Sequence, residues 1–77
     1  MTTQEFTAEF AEMLNLSPGD LTPDTHLDSL ESWDSVAYLS AMVLIDEKLS
    51  VKVRPDIFYK AEKFRDILTA VQPALKD

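Results

Sequence analysis

From Ser35 to Ile45 the chain runs Ser-Val-Ala-Tyr-Leu-Ser-Ala-Met-Val-Leu-Ile, eleven residues without a charge, entered from an acidic loop through Trp33 and Asp34. Too short to span a bilayer and long for a strand, such a run must be a helix packed on something else. It is predicted to run from about Ser35 to Lys48. Asp34 is an N-cap, and Trp33 and Tyr38 stand at the two positions of a hydrophobic staple. Leu39, Met42, Ile45 and Leu49 trace its buried stripe, with Val36 and Val43 off it.

The flanks supply the partners. Phe6, Phe10, Met13 and Leu14 recur at helical spacing behind a Thr2–Glu5 capping box. Residues 15–20 stop that helix with Ser17-Pro18-Gly19 turn chemistry. Residues 16–34 form a long Asp-, Ser-, Thr- and Pro-containing connection whose Leu21, Leu27, Leu30 and Trp33 pin it to a core. Connections of this length are uncommon and usually functional. Val51-Lys52-Val53 reads as extended. Pro55 fits a first helical position, Asp56 to Lys60 one or two turns, and Phe64, Ile67, Leu68 and Val71 a last amphipathic helix ended by Pro73. The expectation is an all-α fold, a small four-helix bundle of three longer helices and a short third one, as a single domain over residues 1–77.

Charge and composition exclude much. All seven Lys and Arg lie from Lys48 onward, so the first 47 residues carry −10 and the rest +3, within a net −7. Such a field repels nucleic acid and anionic membranes and favours basic docking surfaces on protein partners. With no cysteine, neither a disulfide framework nor a thiolate metal site is available. The N-terminus lacks a signal-peptide pattern, and the expectation is a cytoplasmic monomer. The initiating Met and the complete last helix fit a free-standing protein, and equally an excised domain given a start codon.

Enzyme chemistry finds little footing. Ser35, His26 and an Asp could be written as a triad, but Ser35 has no flanking glycines of a nucleophile elbow. A calcium loop from Asp24 would use Asp24, His26, Asp28, Leu30, Ser32 and Ser35. It lacks the turn glycine, where Ser29 stands, and the closing glutamate. No catalytic or metal-ligating residue is expected. Covalent carriage asks less: a hydroxyl exposed at a helix start, where backbone N–H groups and the helix dipole favour an attached phosphodiester. Ser35 meets that requirement.

Here the chain resembles the acyl carrier and peptidyl carrier protein family. Trp33-Asp34-Ser35-Val36 matches its Asp-Ser-hydrophobic attachment motif. Residues 46–53, Pro55 to Phe58 and Phe64-Arg65-Asp66-Ile67-Leu68 follow its later pattern, so the resemblance spans nearly the whole chain. Asp28-Ser29-Leu30 repeats the motif, but Ser29 opens no helical stripe and sits too far from Leu49.

The resemblance implies that a phosphopantetheinyl transferase attaches 4′-phosphopantetheine from coenzyme A to Ser35. The arm's thiol then holds an acyl or aminoacyl group as a thioester, supplied by a loading ligase and passed to synthase or transferase enzymes. The carrier itself is not a catalyst. Partner recognition would fall on Val36, Ala37, Ser40, Val43, Asp46 and Glu47.

Two departures matter. Where fatty-acid-synthesis carriers show acids on the exposed face near the helix start, Ala37 and Ser40 stand here, which favours a specialised polyketide, nonribosomal peptide or similar pathway. The last helix has Glu62-Lys63 where the family has a Thr, predicting a weaker cap. Tyr38, Phe58 and Tyr59 crowd the space between the second and third helices, so a long acyl chain is not expected to be sequestered there. The alternative reading is a noncovalent acidic helical module in which Ser35 only begins a helix.

Overall fold

The computed structural model describes residues 1–76 and contains four α-helices: α1 (Thr3–Met13), α2 (Ser35–Leu49), α3 (Asp56–Lys60) and α4 (Phe64–Val71). No strand forms among the described residues, and no helix is long and apolar enough to cross a membrane. The all-α architecture, with one short third helix and a long first connection, is as expected.

α1 starts with the expected capping box. The Thr2 hydroxyl accepts from the Glu5 amide at 3.1 Å, and the Glu5 carboxylate accepts from the Thr2 amide at 2.9 Å. The Thr2 amide first, then the Thr2 hydroxyl beside it, holds the Glu5 carboxyl below its ordinary range. α1 ends when Asn15 turns left-handed (φ 59°). This lets the Leu16 amide donate to Ala11 O at 2.8 Å and the Asn15 amide to Glu12 O at 3.0 Å, a Schellman closure built on Asn rather than Gly.

Phe6, Phe10, Leu14, Leu21, Leu27, Ile45, Phe58 and the large apolar residues of α4 (Phe64, Ile67, Leu68 and Val71) form one buried core. Its centre is aromatic. The rings of Phe6 and Phe64 stack at 6.2 Å, Phe10 meets Phe64 at 5.0 Å, and Phe10 meets Trp33 at 5.8 Å. Such pairs add about 0.5–1.5 kcal/mol each beyond area burial.

The long connection is fastened at both ends. Its only regular pieces are 3-10 turns at Pro18–Asp20 and Leu27–Ser29. His26 and Lys63 form an isolated antiparallel bridge, the Leu27 amide donates to Glu62 O at 2.9 Å, and the Phe64 amide donates to Thr25 O at 3.0 Å. Ser32 Oγ donates to Leu14 O at 3.0 Å, tying the end of the connection to the end of α1.

These fastenings settle the start of α4. The absent Thr does not leave it uncapped. The Phe64 amide bonds Thr25 O, the Arg65 amide bonds Pro23 O at 2.9 Å, and Asp66 Oδ2 accepts from the Glu62 and Lys63 amides at 2.9 and 3.1 Å. An Arg65–Asp24 ion pair spans the same junction. α4 stops at Val71 and tightens into a 3-10 turn, Gln72–Ala74, around Pro73.

The buried face of α2 differs from the expected one. Ala37, Ala41 and Ile45 are buried, with Met42 and Leu49 only partly so, while Leu39 is 64% exposed. The three buried residues recur every fourth position, and Leu39 lies about 200° around the helix from Ala37. Two small alanines bring α2 close to the core, and hydrophobicity alone gave no sign of it. Pro55 falls one residue before α3 instead of inside it, and its carbonyl accepts the Phe58 amide at 3.1 Å.

Candidate functional site at the start of helix 2

α2 begins where the Asp34 backbone leaves the extended region (φ −135°, ψ −172°). Asp34 Oδ1 accepts from the Ala37 amide at 3.0 Å and the Asp34 carbonyl accepts from the Tyr38 amide at 3.0 Å. The staple closes beside it: the rings of Trp33 and Tyr38 meet edge-on at 4.8 Å. Trp33 also touches Phe10 and Phe58, so the residue just before the cap is anchored in the core from two sides. The cap is therefore fixed from below while its outer face stays free.

On that outer face is Ser35, exposed. Among the described residues its hydroxyl has no hydrogen-bond partner, and the amides of Ser35 and Val36 have no acceptor. An exposed hydroxyl, two open N–H donors and the positive end of a fifteen-residue helix suit a covalently bound phosphodiester. No hydrogen bond joins Ser35 to His26 among the described residues, and no cluster of His, Cys, Asp or Glu there could hold a metal ion. Ser29 is placed differently. It closes a 3-10 turn, and its hydroxyl donates to His26 O at 2.6 Å.

Below Ser35 the expected recognition residues divide. Val36 is 70% exposed and Val43 54% exposed, and Ser40, Asp46 and Glu47 are also on the surface. Ala37 is not: it is 7% exposed and belongs to the core. Leu39, which sequence reasoning assigned to the core, is 64% exposed on the outward side. Val36, Leu39 and Val43 lie at i, i+3 and i+7, one stripe running down the helix from the serine. A second, opposite stripe of Ala37, Ala41 and Ile45 was the available signal, masked by the small size of alanine. Tyr59 on α3, 67% exposed, adds an apolar surface whose ring contacts Tyr38 at 5.0 Å.

Comparison with known proteins returned no match among curated proteins or solved structures. A family model does match: the phosphopantetheine attachment site, over residues 4–71. That span takes in all four helices but for the first residue of α1, and the whole connection that holds α4 and Asp34 in place. The chain therefore belongs to the phosphopantetheine-attachment family, with 4′-phosphopantetheine as its prosthetic group and the character of an acyl or peptidyl carrier protein.

Proposed function

We propose that Ser35 is the residue that bears the arm, and that the protein carries a small acyl or aminoacyl group for a specialised pathway without catalysing a reaction itself. The observation that carries this reading is the free Ser35 hydroxyl at a capped helix start inside the matched region. In the attachment step Ser35 Oγ attacks the pantetheine-bearing phosphorus of coenzyme A. The new P–O bond forms as the bond to 3′,5′-adenosine bisphosphate breaks, and the hydroxyl proton passes to a base of the transferase. The open Ser35 and Val36 amides would be free to donate to the phosphodiester, while Asp34 keeps the first turn formed. Once bound, the group supplies a thiol that holds cargo as a thioester. A chain without cysteine offers no competing thiol.

Partner choice is assigned to the outward stripe of α2. Val36, Leu39 and Val43 present apolar surface, Ser40 is neutral, and the acids come only at Asp46 and Glu47. A phosphopantetheinyl transferase, a loading ligase and a downstream synthase or transferase would each meet a largely apolar strip with its negative charge at the far end. This favours partners of polyketide, nonribosomal peptide or similar pathways over enzymes that read an acidic helix start.

The test is incubation with coenzyme A and a promiscuous transferase, followed by intact mass. A gain of one phosphopantetheinyl group is expected. A folded protein that gains no mass is a noncovalent helical module instead.

A further inference from the structure

The seam between α2 and α3 is closed by rings. Tyr38 and Phe58 stack nearly parallel (13°) at 6.2 Å, Trp33 meets Phe58 edge-on at 5.9 Å, and Tyr59 meets Tyr38 edge-on at 5.0 Å. Phe58 is 1% exposed, and the layer beneath it is the Phe10–Phe64 core. Tyr38 stands one turn below Ser35 and Trp33 two residues before it, so this plug lies directly under the attachment point. Outside the rings is a shallow concavity of about 320 Å³, bordered by Asp28, Lys60 and Glu62 as well as the aromatic edges. An alkyl chain gains little from a surface rimmed by charges, because the rim keeps it in contact with water. To go deeper it must part several ring contacts at once and displace Phe58 from a filled core.

We propose that Tyr38 and Phe58, braced by Trp33 and Tyr59, are cargo-selecting residues that bar long alkyl chains from the interior. The carried group then stays outside the bundle, and the chain is suited to short or polar acyl groups, aminoacyl groups among them. This inference rests on the carrier reading and names the cargo class for that same site.

The test loads the full chain from acetyl-, butyryl-, octanoyl- and dodecanoyl-coenzyme A, with loading verified by intact mass. Two properties are then read for each form: Tm, and the rate at which hydroxylamine cleaves the thioester. Both are expected to be unchanged across the series. A Tm that climbs with chain length, together with slower cleavage of the longer thioesters, overturns the inference while leaving the carrier reading intact. Failure to gain mass overturns the carrier reading and the inference with it.

Tyr38→Ala opens the plug. In that variant the octanoyl form is expected to rise in Tm above the acetyl form and to resist hydroxylamine. If octanoyl and acetyl forms of a folded Tyr38→Ala variant stay alike, Tyr38 is not the barrier. The unmodified chain's length series decides the matter even where Tyr38→Ala does not fold.

Discussion

α4 and α2 begin in opposite ways. At the start of α4 the first amides are bonded to Thr25 and Pro23 carbonyls, Asp66 takes the two amides just before, and Phe64, Ile67, Leu68 and Val71 all point inward. At the start of α2 one carboxylate caps one amide, two amides and a hydroxyl stay open, and Val36, Leu39 and Val43 face out. The first arrangement uses up its bonding capacity in holding the fold. The second keeps capacity in reserve, and the reserve is concentrated around Ser35. An open helix start is affordable here because Trp33, set into the core just before it, fixes the turn without drawing on those donors.

If that contrast is right, substitutions in α4 and α2 should act on different observables. Phe64→Ala removes a fully buried ring that contacts both Phe6 and Phe10, and should cost about 3–5 kcal/mol in urea unfolding. In a domain at the lower end of the usual range, about 5 kcal/mol, that leaves it barely folded. Leu39→Asp should change stability by less than about 0.5 kcal/mol. It should nevertheless lower kcat/KM for arm attachment by roughly tenfold, the size expected for losing one apolar anchor worth about 1.4 kcal/mol. A large stability loss in Leu39→Asp would erase the distinction between the two helices.

Asp34→Ala sits between the two behaviours. Loss of the Asp34–Ala37 bond should cost about 1 kcal/mol in thermal or urea unfolding, and it should also slow attachment because the first turn frays around Ser35. The smallest effect is on acid stability. The Lys63 amide first, then that of Glu62, holds the Asp66 carboxyl below its usual range. Its folded pKa lies below the unfolded value of about 4. The associated stability is thus complete above that value and is lost as pH falls through the lower, folded one. Asp66→Asn should be slightly less stable than the parent at pH 7, with the difference shrinking in unfolding curves taken below about pH 4.

Much of this was legible because its causes are local. The Thr2–Glu5 box, the Asp34 cap and the Trp33–Tyr38 staple each join residues within five positions, and all three form. The four large apolar residues of α4 are so strongly one-sided that only one face can be buried. α2 is apolar nearly all round, so its sequence fits more than one orientation. Packing chose the alanine face, where α2 can come close, and expelled Leu39 instead. The cap of α4 was illegible for another reason. Its acceptors lie at Pro23 and Thr25, some forty residues away, and a backbone carbonyl carries no side-chain signature. The serine motif occurs twice, and the flanking sequence already sets the copies apart, since only Ser35 opens a helical stripe at the right distance from Leu49. Their hydroxyls differ as well: that of Ser29 is bonded to His26 O, whereas that of Ser35 has no partner among the described residues.

That separation is open to direct measurement. The parent, Ser35→Ala and Ser29→Ala proteins, each verified as folded by circular dichroism, are incubated with coenzyme A and one transferase and then weighed intact. One phosphopantetheinyl group is expected on the parent and on Ser29→Ala, and none on Ser35→Ala. A modified Ser35→Ala protein, or an unmodified Ser29→Ala protein, would contradict the assignment of Ser35 and with it the contrast between an occupied helix start and an open one.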